Sequence, residues 1–125
     1  MFKYIKVTIQ LFLFFIMMNA HADLKKTIRI PQFSNQEVTI WKTIIYPNNN
    51  HILKMHWHQY NRIVVALNNG VLKIVNDQGK IHYLKLEKDH AYYLTKDIPG
   101  RLHSDENITK APIKVLVIEL KNHPK

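Results

Sequence analysis

The 125-residue sequence contains no cysteine, and this absence excludes several kinds of chemistry at once. Disulfides, thiolate metal sites, thiol nucleophiles and lipidated cysteines all need a sulfur atom that the chain lacks. Acidic residues are also few, since 9 Asp and Glu stand against 18 Lys and Arg and give a formal net charge of +9. The lysines are scattered, with no basic run longer than Lys25-Lys26, so the charge predicts a solvated surface and no nucleic-acid partner.

A hydrophobic run long enough to span a membrane is missing as well. The apolar stretch 7–18 has 12 residues, whereas a spanning helix needs roughly 20. Lys3 and Lys6 precede it and Ala20-His21-Ala22 follows it, which is typical of an export signal with its cleavage site. We therefore expect a signal peptide over 1–22 and a mature domain over 23–125, periplasmic or secreted and without a stable membrane anchor. An uncleaved anchor is the alternative.

After residue 22 the sequence also lacks the apolar spacing of an amphipathic helix. Apolar residues instead alternate with polar ones in short runs separated by turn residues, which is typical of β-strands. The runs are 38–45, 51–58, 62–67, 71–75, 80–86, 91–94, 102–104 and 113–120. Asn68-Asn69-Gly70 predicts a hairpin and Asp77-Gln78-Gly79 predicts the next turn. About eight short strands in one domain predict an all-β barrel or two-sheet sandwich.

Two of these runs are apolar on both faces. Ile63 and Val65 alternate with Val64 and Ala66, and the run 113–120 has the same character. An antiparallel strand with one face in water would alternate apolar with polar residues, so the second face needs a cover. A second copy of the chain, forming a homodimer, and the chain's own N-terminal segment are the two candidates.

The residues with metal-binding chemistry form two groups. In His56-Trp57-His58 the spacing of two puts both imidazoles on one side of a strand, where they can hold one metal ion. His103 follows the Pro99-Gly100 turn, and Asn107 comes four residues later. Each histidine alone is more often a surface residue, but together they form a pattern.

This pattern resembles the motifs of the cupin superfamily. The first cupin motif has two histidines one residue apart, then a glutamate, then a glycine, and His56, His58 and Gly70 fill three of these four places. The resemblance implies a small double-stranded β-helix, a jelly-roll barrel of the RmlC-like type, with its ligand pocket inside the barrel.

The second cupin motif has a proline, a glycine, a histidine and an asparagine, and Gly100, His103 and Asn107 match the last three in register. Ile98 stands at the place of the proline, next to Pro99. Asp89 stands near the glycine that opens the motif.

The sequence departs from the cupin pattern at the glutamate. Counting four residues on from His58 gives Arg62, and no carboxylate occupies the position. The resemblance then implies a divalent metal on His56, His58 and His103, with its identity open among Fe, Ni, Cu, Mn and Zn. The other outcome is a site that has lost its metal.

Several other residues are candidates for ligand binding. Arg62 carries a planar guanidinium that matches a carboxylate or phosphate, unless a bulge near Asn61 turns it outward. Asp105 shares the face of His103 in a regular strand, where it either replaces the missing glutamate or orients that histidine. Tyr60 precedes Arg62 at the barrel mouth, and Asn107 completes the second motif.

Two classes of function follow from these residues. One is a dioxygenase-like or isomerase-like metalloenzyme, and the other is a non-catalytic protein that binds a small anion or sugar acid without metal. The sequence shows no paired general acid and base and no nucleophile elbow, so whether the protein is an enzyme stays open.

Overall fold

The computed structural model describes residues 27–47 and 53–121, and every regular element in these ranges is a β-strand. The strands are β1 (Ile28–Ser34), β2 (Val38–Ile45), β3 (Leu53–His56), β4 (Arg62–Ala66), β5 (Gly70–Asn76), β6 (Ile81–Leu86), β7 (Ala91–Leu94), β8 (His103–Asn107) and β9 (Ile113–Leu120). Within the described residues no helix is long and apolar enough to cross a membrane. The prediction of an all-β fold is confirmed.

The strands form two antiparallel sheets. One has five strands in the order β1-β2-β9-β4-β7, and the other has four in the order β3-β8-β5-β6. Strands that follow each other in sequence often lie in different sheets, as β2 and β3 do, and so do β4 and β5. This crossing between two packed sheets is the arrangement of a jelly roll.

The core lies between the sheets and comes from alternate residues of their strands. In β4, Val64 and Ala66 are buried while Ile63 and Val65 on the opposite face are half-buried. The buried apolar side chains are Trp41, Ile45, Val64, Ala66, Leu72, Leu86, Ile113, Val115 and Val117. Because alternate residues of a strand share a face, Arg62 points to the same side as Val64 and enters the interior.

The prediction of a hairpin at Asn68-Asn69-Gly70 is wrong. The strands on either side do not pair, since β4 pairs with β7 and β9 and β5 pairs with β6 and β8. Asn68 instead fixes a crossing between the sheets, because its Nδ2 donates to the Pro112 carbonyl at 2.7 Å and its Oδ1 accepts from the Lys114 amide at 2.9 Å. A Cβ on Gly70 would overlap the side chain of Ile113, so this glycine serves close packing.

The turn predicted around Gly79 is confirmed. β5 and β6 pair across it, and Gly79 has a φ of 79°, which favours glycine. Asp89 also has a positive φ, 67°. Aspartate tolerates this left-handed conformation better than most residues, which accounts for its place near the opening glycine of the second cupin motif.

Strand β1 was not among the sequence predictions. It is the edge of the five-stranded sheet, and Pro31 lies within it beside a register shift between Pro31 and Phe33. A proline argues against a central strand but is tolerated at an edge, where its missing N–H breaks no ladder. The sequence pattern alone did not show that this segment pairs with a neighbour on one side only.

The signal peptide predicted over 1–22 lies outside the described residues, so export stays a prediction. The outer faces of β4 and β9 remain half-buried in the described chain. The homodimer that would cover them also stays a prediction.

Replacing Gly70 with alanine should destabilise the fold. The new methyl group would displace the fully buried Ile113 side chain, and overpacking of this kind costs roughly 1–3 kcal/mol. Chemical denaturation of Gly70→Ala should show a lower midpoint with an unchanged slope. The exposed-turn variant Gln78→Ala is the control, and equal midpoints for the two proteins would contradict the packing role.

Candidate metal centre

The three histidines converge because two strands pair in a suitable register. His56 ends β3 and His103 begins β8, and the two residues are partners in the antiparallel ladder. His58 follows two residues after His56. The ring centroids lie 4.9 Å apart for His56 and His58, 4.4 Å for His56 and His103, and 5.3 Å for His58 and His103. One ring nitrogen from each side chain lies within 4.8 Å of the other two.

The surroundings favour neutral imidazoles at His58 and His103. Burial, and then the positive charge of Arg62, lower the pKa of His58 to about 3. Burial also lowers the pKa of His103, although Asp105 acts in the opposite direction. The His56 Nε2 and His58 Nε2 atoms are 3.1 Å apart. A neutral imidazole has a lone pair on one ring nitrogen. A divalent transition metal binds histidine through this lone pair.

Asp97 supports two of the histidines and was missed by the sequence analysis. Its Oδ2 accepts a hydrogen bond from the His58 amide at 2.6 Å, and its own amide donates to the His58 carbonyl at 2.9 Å. The same carboxylate oxygen lies 3.4 Å from His103 Nδ1. A carboxylate on Nδ1 orients an imidazole and leaves Nε2 for a metal. The sequence showed Asp97 only as the start of the Asp-Ile-Pro-Gly turn.

Asp105 also lies beside two of the histidines, on the strand face that it shares with His103. Its Oδ2 is 3.5 Å from His56 Nε2, and its Oδ1 is 3.9 Å from His103 Nε2. His56 and His103, two of the candidate metal ligands, therefore both lie close to the Asp105 carboxylate. Together with three imidazoles it makes a donor set that fits a divalent transition ion.

Arg62 points inward, and the alternative in which a bulge turns it outward is wrong. β4 runs in regular register beside β7 and β9, and the arginine is only 8% exposed. Its Nη1 donates to the Thr95 carbonyl at 3.3 Å. Burial lowers the pKa of Arg62, and the nearby charges of Asp97 and Asp105 oppose this effect. No carboxylate in the described part of the chain lies within 4.0 Å of the guanidinium.

The three histidines, Arg62 and Asp105 line a cavity of about 80 Å³ between the sheets. The polar residues in its wall are Arg29, Thr43, His56, His58, Arg62, His103 and Asp105. The rest of the wall is apolar and includes Trp41, Val64, Leu72, Ile74 and Leu94. Arg29 reaches the cavity from β1, with its guanidinium carbon 5.0 Å from the centre of the Trp41 ring. The space suits a few ligand atoms.

Two residues predicted to bind ligand lie elsewhere. Tyr60 is half-buried and is not in the cavity wall. Asn107 is 4% exposed, and its side chain is committed to the protein: Nδ2 donates to the carbonyls of Ile45 and Ala111 at 2.9 and 2.8 Å, and Oδ1 accepts from the Thr109 amide at 2.8 Å. The ligand contact predicted for Asn107 is therefore replaced by a structural role. Asn107 ends β8 and His103 begins it, so the two residues are about 13 Å apart along an extended strand.

Solved structures with this architecture are numerous. A cupin domain from Bordetella pertussis Tohama I has a TM-score of 0.67 and 17% sequence identity, over 82% of this chain and 100% of that one. An RmlC-like cupin family protein with a double-stranded β-helix fold from Methanocaldococcus jannaschii has a TM-score of 0.58 and 12% identity, over 80% and 84% of the chains. The cupin domain of an XRE family transcriptional regulator from Enterobacter cloacae has a TM-score of 0.55 and 16% identity, over 81% and 100%.

The protein has a cupin fold. At these identities the likeness shows the fold alone, and it confirms the double-stranded β-helix that the two histidine motifs implied. No family model matches the sequence, and the search of curated proteins found no match either. Arguments about function therefore depend on the site itself.

Asp97→Asn should weaken metal binding without unfolding the protein. The amide keeps an oxygen for the His58 N–H but loses the charge that holds His103, and a lost outer carboxylate typically costs about 10–100-fold in metal affinity. Competition titration with a coloured chelator would measure the dissociation constant. Asp77→Asn, in the turn between β5 and β6, is the control. Equal affinities in the two variants would show that Asp97 does not position the ligands.

Proposed function

We propose that this cupin-fold protein binds a divalent metal ion through His56, His58 and His103 and a small anionic ligand beside it through Arg62. The observation that carries the proposal is the presence of three clustered imidazoles and a buried guanidinium in the wall of a single cavity. Asp105 is a carboxylate in the cavity wall and lies within 4.0 Å of both His56 Nε2 and His103 Nε2.

The histidines support the metal part of the proposal. His56 and His103 are partners on paired strands and His58 follows two residues later, and the lowered pKa values of His58 and His103 keep these two rings available as ligands at neutral pH. A bound ion would act as a Lewis acid on an oxygen atom of the ligand. A dioxygenase-like or isomerase-like reaction is consistent with this arrangement, and the site residues do not select between them.

Arg62 supports the ligand part of the proposal. A guanidinium stays charged at neutral pH, and burying it without a close anion is costly. Among the described residues its side chain donates one hydrogen bond, to the Thr95 carbonyl, and most of its five N–H groups are left for a ligand. The cavity beside it is open to a carboxylate of a few atoms, which would satisfy the guanidinium in the planar geometry that arginine prefers.

The metal-free binding protein is the second candidate, and one observation favours it. An arginine stands where the cupin motif has a glutamate ligand, so the wall supplies a positive charge in place of a negative one. In that case the same cavity would bind an anion through Arg62 and the histidines alone. The two candidates differ in whether purified protein contains metal.

Metal analysis tests the first candidate. The wild-type protein should bind close to one equivalent of divalent ion per chain, and His58→Ala should bind it much more weakly, because one of the three imidazole ligands is removed. The matched control is His90→Ala, which removes an exposed histidine outside the cluster. The metal centre would be excluded if His56→Ala, His58→Ala and His103→Ala all kept the wild-type stoichiometry.

Anion binding tests the role of Arg62, with acetate as the probe in calorimetry. Both Arg62→Ala and Arg62→Lys should lose on the order of 2 kcal/mol of acetate affinity, because hydrogen bonds to charged groups contribute roughly 1.5–3 kcal/mol and lysine lacks the planar fork. Lys110→Ala, an exposed site, should bind as wild type does. Unchanged acetate binding in Arg62→Ala would place the anion elsewhere or exclude it.

A further inference from the structure

A groove that is larger than the cavity adjoins it. It has a volume of about 610 Å³ and lies between the β5–β6 hairpin and the segments that follow β7. The walls of the groove and of the cavity share Ile74, Leu84, Leu94, Arg62 and His103. The groove therefore lies directly beside the cavity that holds the histidines.

Positive charge is concentrated in this groove. Four cationic residues line the groove: Lys80, Lys96, Arg101 and Arg62. Among the described residues of its wall, Asp97 is the only acidic one. Asp97 is already engaged with His58 and His103. In the described part of the chain the ammonium groups of Lys80 and Lys96 form no ion pair, and the Arg101 Nη1 atom is 3.9 Å from Asp77 Oδ1.

The fold brings these cations together although the sequence separates them. Lys80 follows the turn between β5 and β6, whereas Lys96 and Arg101 belong to the connection between β7 and β8. Between the charged residues, the groove wall is apolar and includes exposed side chains. Tyr93 and Ile98 are exposed, and Leu84, Leu94 and Leu102 are half-buried.

The cavity and the groove differ in volume and would therefore hold different parts of one ligand. The cavity of about 80 Å³ takes only a few atoms, whereas the groove falls within the range of about 300–1,000 Å³ that is typical of small-molecule sites. A ligand whose reacting group enters the cavity would leave its remaining atoms in the groove, against apolar side chains and beside Lys80, Lys96 and Arg101.

We propose that the ligand is an elongated organic anion with two negatively charged groups. Its inner group binds at Arg62 and the histidine cluster, its apolar body lies along Leu84 and Leu94, and its outer group meets Lys80, Lys96 and Arg101. The inner end of this inference rests on the proposed function, and the outer end rests on the groove alone.

Linear dicarboxylates of increasing chain length are the probes, compared with monocarboxylates of the same length. Calorimetry on Co(II)-loaded wild-type protein at low salt should show one dicarboxylate length that binds about tenfold or more tightly than its monocarboxylate partner, because only the dicarboxylate reaches the outer cations. This advantage should shrink as salt is added, since the outer cations are exposed.

The double variant Lys80→Ala/Lys96→Ala should lose the advantage of the dicarboxylate and keep wild-type affinity for the monocarboxylate. Lys110→Ala/Lys114→Ala removes two exposed lysines outside the groove and is the matched control. The inference is overturned if no chain length favours the dicarboxylate, or if the advantage persists in Lys80→Ala/Lys96→Ala.

The metal content of the same samples separates this inference from the proposed function. A protein that takes up no Co(II) but still prefers a dicarboxylate through Lys80 and Lys96 would refute the metal centre and support the groove. A protein that binds Co(II) and acetate without any preference for dicarboxylates would support the metal centre and refute the groove.

Discussion

The register between β3 and β8 is the constraint on which the candidate site depends. His56 and His103 are partners in this ladder, and a slip of one residue would turn one imidazole to the outer face. His58 lies beyond the end of β3, where no strand partner holds it. Asp97 replaces that partner. Its carboxylate accepts a hydrogen bond from the His58 amide, and its own amide donates one to the His58 carbonyl. One strand pair and one loop contact therefore fix all three imidazoles.

The sequence predicted most of the strands because alternation of apolar residues directly reports a strand with one buried face. The bounds of β2, β7 and β9 agree with the predicted runs, and burial alternates along β9 in particular. Pairing was harder to predict, as the sequence around Gly70 shows. A turn signal reports local backbone geometry, whereas the space beside Ile113 that demands a glycine is set by another strand 43 positions later in the chain. In the edge strand β1 the alternation of Ile28, Arg29 and Ile30 ends at Pro31, so it was too short to predict a strand.

The candidate site was predicted from short spacing, and the parts that spacing cannot show were missed. The two-residue interval of His56 and His58 and the shared face of His103 and Asp105 are local properties of a strand, and the structure shows these side chains gathered around one cavity. Asp97 comes from a loop that the strand order brings beside His58, and nothing in its own neighbourhood marks this contact. Asn107 shows the opposite error, because a motif match identified the residue but not the carbonyls that occupy its amide group.

Arg62 changes the electrostatics that a metal ion would meet in this cavity. The guanidiniums of Arg29 and Arg62 face one carboxylate in the wall, that of Asp105, and Asp97 lies just behind the histidines. With His58 and His103 neutral, the two arginines and two aspartates nearly balance before any ion enters. A divalent ion would then add its whole charge to a balanced, partly buried site, where such a charge is costly unless an anion accompanies it. The proposed metal and anion should therefore favour each other, and by linkage each raises the affinity of the other by the same factor. A glutamate at position 62 would supply that negative charge from the protein, whereas an arginine leaves it to be supplied by the ligand.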